Sequence, residues 1–284
     1  MKTYHLYFLI LSLLLLFTSC GNPFSSSHPA GPLAYQCPMK CEGEKTYTQE
    51  GRCPVCHMNL KEVAAEKTSG IKNTALHISG AMRNVMHKGE LFGTIALDTI
   101  SNKTHLYGLG PFEYLQGEIL IDDGRCFLSS VTADGTLHME ESYQMKAPFF
   151  VYDHVAKWKE VALPDTVQNI LQLESYLEQS TKAQPRPFAF SMMCAIDSAA
   201  IHIVNLPKGT AVHSPDDVQK HHVTFDIKNE QATLIGFFST EHQGIFTHHD
   251  TYVHIHLMTD DHKKMGHLDH AHWQAGTAKL FLPG

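Results

Sequence analysis

Apolar and polar positions change their period several times along the chain. In IKNTALHISGAMRNVMHKG, apolar residues fall at 71, 78, 82, 85 and 86, a spacing that predicts a helix ending near Gly89. DTVQNILQLESYLEQSTK predicts a second helix over 165–182, with Val167, Ile170, Leu171, Leu173, Tyr176 and Leu177 on its apolar face. Most other segments read as short strands: GEILIDDGRCFLSS, AFSMMCAI, AIHIVNL, HHVTFDI, QATLIGFFS, TYVHIHLM and AKLFLPG. Asp-Gly steps at 123–124 and 134–135 mark turns. From about residue 70 to 284 the expected class is α+β with strands dominant. There is no Gly-rich phosphate loop, no G-x-S-x-G elbow and no βαβ alternation. Nucleotide binding and an α/β-hydrolase are therefore not expected.

The first 62 residues follow other patterns. Lys2 precedes an apolar stretch, Leu6 to Phe17, that is short for a membrane span. It ends in FTSC, which resembles the lipobox of bacterial lipoprotein signal peptides. The resemblance implies removal of residues 1–19, lipidation of Cys20 and a lipid-anchored place in the cell envelope, outside the cytoplasm. An ordinary cleaved signal or an uncleaved anchor is the alternative. Residues 20–33, rich in Ser, Pro and Gly, read as a tether. Next, residues 34–62 carry Cys37, Cys41, Cys53 and Cys56 in the spacing C-x3-C-x11-C-x2-C. Such knuckles can close a thiolate site on a soft or borderline ion such as Zn2+ or Cu+, with Met39, His57 and Met58 close by. Two disulfides are the competing reading. CPM and CPVCHM make the stretch resemble the short heavy-metal-binding domains found beside copper-transporting ATPases and efflux proteins. So short a module cannot bury a core, so its folding should be coupled to metal.

Composition sharpens the picture at one place. The formal net charge is -7 and charged residues are 18%, with no basic patch to suggest nucleic acid. Histidine is in surplus, with 21 in all, and nine lie between His242 and His272. Within YVHIHLM, residues i and i+2 of a strand share a face, so His254 and His256 point the same way and Val253 and Ile255 the other. TDDHKKMG reads as a hairpin connection, and His267 follows on the returning strand. Three such histidines can hold a zinc ion and leave positions open for water or substrate. A polar strand face is the plainer alternative. Cys126 and Cys194 lie in strand-like runs and read as buried thiols or one disulfide.

QGIFTHHDTYVHIHLMTDDHKKMGHLDH resembles the metal-binding end of the acetolactate decarboxylases. GELFGTIALDTISNKTHLYGLGPFEYLQGEILIDDG, TADGTL and ATLIGFFSTEHQGI resemble further blocks of that family, in the same order. The resemblance runs from about residue 70 to 284. It implies two packed β-rich halves with a few helices, and a zinc enzyme that converts 2-acetolactate, a 2-hydroxy-3-keto acid, to acetoin and CO2. It assigns the ligands to His254, His256 and His267 and the catalytic glutamate to Glu118, which without the family would read as a solvent-facing strand residue. Two features depart from the family. Its catalytic arginine has no counterpart in IVNLPKGTAV, where Lys208 is the nearest cation, and a lysine does not reproduce a guanidinium clamp. No counterpart of its C-terminal carboxylate follows His267. The second reading is therefore a metal-binding lipoprotein that handles copper or zinc and keeps the ion without the reaction.

Overall fold

The computed structural model describes residues 34–36, 45–54, 58–63 and 76–284. Cys20, Cys37, Cys41, Cys56, Met39 and His57 lie outside the described residues, as do the leader and the tether. The chain divides into two compact units at Lys72/Asn73.

In the first unit, β1 (Ala34–Gln36), β2 (Thr46–Tyr47) and β3 (Lys61–Val63) form a small antiparallel sheet in the order β2-β1-β3. A tight reversal precedes β3. The Cys53 N–H donates to the Met58 carbonyl at 2.9 Å, and the Leu60 N–H donates to the Gly51 carbonyl at 2.9 Å. Cys53 is wholly buried.

The second unit is strand-dominated. Its first sheet has the order β4-β11-β6-β7-β8-β9. These strands are β4 (His77–Gly80), β6 (Leu106–Pro111), β7 (Glu118–Asp122), β8 (Arg125–Val131), β9 (Leu137–Glu141) and β11 (Phe149–His154). A two-stranded pair, β5 (Ile95–Ala96) with β10 (Lys146–Ala147), stands apart. The second sheet has the order β12-β17-β13-β14-β15-β16. It comprises β12 (Trp158–Val161), β13 (Phe188–Val204), β14 (His222–Phe238), β15 (Val253–Thr259), β16 (Met265–Trp273) and β17 (Lys279–Pro283). β16 pairs with β13 as well as with β15, so β13 to β16 close on themselves. Closure removes an exposed edge and buries all seven residues of β15. One core lies within the second sheet around Phe190, Leu234, Leu257 and Trp273. Another joins the two sheets through Leu109, Leu120, Ile235, Phe237 and Met265.

Three helices complete the unit: α1 (Met82–Lys88), α2 (Ile170–Ser180) and α3 (Pro215–Gln219). α2 starts where Asn169 accepts a bond from the Gln172 N–H, and it buries Leu173 and Leu177, as its periodicity predicts. The helix expected up to Gly89 is shorter than its pattern. Residues 77–80 form a strand instead, because Leu76 and Ile78 also fit period two and the edge of β11 offers them a partner. Gly80, at φ 66°, turns the chain before α1 begins, and Gly89, at φ 65°, ends the helix.

Strand lengths also differ from expectation. AFSMMCAI and AIHIVNL are two halves of the 17-residue β13, and HHVTFDI and QATLIGFFS are halves of the equally long β14. The polar residues between them imitate a turn. They form a bulge instead, with a register shift between Ile196 and Ser198 and Asn229 at φ 54°. Cys126 and Cys194 are free, buried thiols in different cores, which removes the disulfide alternative. Burial pushes each up to about 12. Among the described residues, no helix is long and apolar enough to cross a membrane.

Candidate metal centre

The register of three strands builds the site. His256 on β15 stands directly opposite His267 on β16, and His267 stands opposite His202 on β13. His254 follows two residues before His256, on the same face. β16 can approach β13 this closely because residue 266 is glycine. A Cβ there would meet the His202 carbonyl oxygen at 2.8 Å.

The rings of His254, His256 and His267 converge, with centroids 4.9 to 5.6 Å apart. One nitrogen from each lies within 4.8 Å of the other two. A tetrahedral ion with ligands at 2.0–2.1 Å wants donors about 3.3 Å apart, so small rotations close the set. Val253 and Ile255 are buried behind it. His254 Nδ1 and both nitrogens of His256 are buried and make no hydrogen bond of full geometry, the backbone of Phe246 and of Ile119 giving only weak partial contacts to the two rings. Leaving a buried polar atom unpaired costs on the order of 1–3 kcal/mol, and a coordinated cation satisfies it. Burial holds the three imidazoles below their usual range, His256 at about 3, with neighbouring histidines adding to the shift. They are neutral at pH 7, the form that donates a lone pair to a metal. The donor set therefore fits a borderline divalent ion.

Glu118 enters from β7 in the other sheet and is almost wholly buried. Its Oε2 lies 3.6 Å from His256 Nε2, and its Oε1 accepts a bond from the Val204 N–H at 3.3 Å. Burial pushes its carboxyl up to about 8, against the opposing pull of the Val204 N–H. A solvent-facing strand residue is thereby excluded. The structure thus brings His254, His256, His267 and Glu118 together. A cavity of about 220 Å³ opens on Glu118, His254 and His267.

Lys208 is not part of this group. It lines a different cavity with Leu91, Phe92 and Tyr114. The chain turns at Leu206–Thr210 after β13 ends, which carries Lys208 away from the strand face that His202 shares with the trio.

Sequence reasoning missed a flanking pair. His202 Nδ1 lies 2.6 Å from Asp269 Oδ1, and the His202 ring packs on His267 at 4.6 Å. Asp269 sits at a bulge, because Ala200 pairs with His270 and Ile201 with Leu268, leaving the residue between without a partner on β13. The bulge re-aims its carboxylate toward His202. His222 stacks on the other face of His202 at 3.8 Å, and burial holds it at about 4. The only signal for this pair was an alternating His in AIHIVNL, and it depends on a register between distant strands.

Comparisons with known proteins give the family and the fold. The alpha-acetolactate decarboxylase family matches residues 79–281, and the heavy metal binding domain matches residues 34–63. An alpha-acetolactate decarboxylase of Brevibacillus brevis is 25% identical over 186 residues, which are 65% of this chain and 62% of that protein. The chain thus spans less than two thirds of that relative's length. Two solved structures share the fold. Alpha-acetolactate decarboxylase from Bacillus subtilis has a TM-score of 0.58 at 17% identity, covering 73% of this chain and 85% of that one. A Staphylococcus aureus protein of unknown function similar to alpha-acetolactate decarboxylase has a TM-score of 0.57 at 14% identity, covering 73% and 84%. With the match to residues 79–281 spanning most of its length, the chain belongs to the alpha-acetolactate decarboxylase family and carries a heavy metal binding domain ahead of it.

Proposed function

We propose that the second unit decarboxylates 2-acetolactate, or a close 2-hydroxy-3-keto acid, to the corresponding hydroxyketone, with Zn2+ on His254, His256 and His267. The observation that carries the reading is the approach of Glu118 to His256 at 3.6 Å beside a convergent histidine trio, with Glu118, His254 and His267 opening on one cavity. A divalent ion there supplies Lewis acidity toward the hydroxyl and keto oxygens and stabilises the charge left when CO2 departs. The residues of the chain do the rest. The trio fixes the position of the reacting end against Glu118. Val204 holds Oε1, which leaves Oε2 to carry the proton. When the carbon–carbon bond to the carboxylate breaks, its electron pair stays on the substrate and Glu118 delivers a proton to that carbon. Asp269 holds the His202 ring beside His267 and limits its rotation.

The test uses full-length mature protein, zinc-loaded, incubated with racemic 2-acetolactate and assayed for acetoin. Wild type should form acetoin. Glu118→Gln should lose about 100-fold or more in kcat while retaining its metal, because a general acid of this kind contributes about 10²–10⁴-fold. Absence of acetoin from metal-loaded wild type would refute the reading. It would favour metal handling without turnover, which the heavy metal binding domain and its Cys53 support. In either case the proposed location is the envelope, through lipid on Cys20. Labelled fatty acid should enter wild type and not Cys20→Ser.

A further inference from the structure

The cavity over the trio is lined by many neutral or acidic groups and by one permanent cation, Arg83. Its histidines sit below their usual range where a shift is resolved: His222, His248, His254 and His267. Its acids are Glu118 and Asp250. No lysine lines it.

Arg83 is held at this wall by backbone. It is the second residue of α1, and its N–H donates to the Gly244 carbonyl at 2.8 Å. The Met82 N–H makes the parallel bond to Ile245 at 2.8 Å. A Cβ added on Gly244 would meet the Arg83 Cβ at 3.6 Å, so the loop passes close to the start of the Arg83 side chain. His87, one turn later, lines the same cavity, which shows that this side of α1 faces it. Met82 and Val85 are buried and anchor the helix. The Arg83 side chain stays exposed while lining the cavity, so it stands at the opening. Among the described residues no carboxylate forms an ion pair with it. A guanidinium fixed at the stem and free at the head is suited to a bidentate grip on a carboxylate.

We propose that Arg83 binds the carboxylate of the anionic ligand in the histidine cavity. The inference deepens the decarboxylase reading and rests on it only for the reaction; the carboxylate preference stands by itself. A carboxylate held at the mouth by Arg83 sets the rest of a small acid pointing inward to the trio and Glu118. Binding is then selective for acids over neutral hydroxyketones, which favours entry of the acid and exit of the decarboxylated product.

The test uses full-length, Co2+-loaded protein and two unreactive probes, 2-hydroxy-2-methylpropanoate and its uncharged amide. Affinities are read from the visible cobalt bands and by calorimetry. Wild type should prefer the carboxylate. Arg83→Gln should weaken the carboxylate about tenfold or more and leave the amide unchanged, since hydrogen bonds between charged partners are worth that much. Arg83→Lys should restore part of the preference, with cobalt content equal in all three proteins. Equal weakening of both probes, no weakening, or no carboxylate preference in wild type would overturn the proposal. Carboxylate preference that depends on Arg83 without acetoin formation would sink the reaction and keep this site. Acetoin formation with an Arg83→Gln protein of unchanged carboxylate affinity would do the reverse.

Discussion

The same sheet carries two kinds of histidine. His254, His256 and His267 are packed together, and His254 and His256 hold buried nitrogens that make no hydrogen bond of full geometry. His272, on the same strand as His267, is half exposed and faces Asp197 across 3.3 Å. In the other sheet, His105, just before β6, likewise faces Asp123 at 2.9 Å. Carboxylate-paired histidines at the surface are satisfied by water and a neighbour. His254 and His256 lack such a partner at these buried nitrogens, and burial drives all three imidazoles of the trio to the neutral form. Histidine surplus alone therefore does not mark a metal site; buried, convergent ring nitrogens with too few hydrogen-bond partners do.

The largest break in this comparison is His254→Ala. Two imidazoles bind a divalent ion far more weakly than three, so the variant should lose most of the metal of the second unit and all measurable acetoin formation. Elemental analysis after dialysis reads the loss. His272→Ala, five residues beyond His267, should leave both unchanged. Metal retained in His254→Ala would mean that the ion is held elsewhere.

The comparison also explains what could be read beforehand. Alternation along YVHIHLM was enough to place His254 and His256 on one face, because strand side chains have a period of two whatever the partner strand. His267 needed only a short hairpin. Glu118 needed the family resemblance, because its strand comes from the other sheet and nothing local says that it is buried. His202, Asp269 and Arg83 were not legible. The first two meet through a bulge between β13 and β16, 67 residues apart along the chain. Arg83 lies on a helix whose start is set by a strand that the periodicity hid. The long β13 and β14 were misjudged because a polar bulge and a polar turn have the same composition. Lys208 is near the expected position in sequence only, and a turn after β13 carries it to another cavity.

Acidity gives a second, smaller handle. In metal-free protein, His222 at about 4 and His256 at about 3 stay neutral where the unfolded chain, near 6.5, takes up protons. His254 and His267 shift the same way. Their contribution is present above pH 6.5 and is lost as pH falls toward 4, because the unfolded state then binds more protons. Glu118 works in the opposite sense. Its carboxyl at about 8, against an ordinary 4.5, favours the fold below pH 4.5 and loses that advantage as pH rises to 8. These four histidines, joined by His242 and His248, which shift the same way, outweigh one carboxyl below 6.5, and between that and pH 8 the carboxyl sets the slope among these groups. Stability of the metal-free protein should therefore peak near pH 6.5, measured as urea midpoints from pH 4.5 to 8.5. Glu118→Gln should flatten the alkaline side and steepen the acid side, since the carboxyl opposes the histidines from pH 4.5 upward. A midpoint that rises steadily to pH 8.5 in wild type would show that Glu118 is ionised in the fold.

The smallest expected effect comes from the outer pair. His272 and Asp197 are each about half exposed, at 50% and 42%, so water screens their attraction and competes for both partners. Pairs of this kind contribute roughly 0–1 kcal/mol. A double-mutant cycle with His272→Ala and Asp197→Ala should give a coupling at the low end of that range, shrinking further in 0.5 M salt, at roughly which concentration screening acts within a few ångströms. The same cycle on His202 and Asp269 should give a larger coupling that resists salt, because His202 is buried and its partner lies at 2.6 Å. Equal couplings at the two pairs would mean that burial does not distinguish them. The separation between histidines that serve the surface and histidines that frame the cavity would then have to be drawn from the buried trio alone.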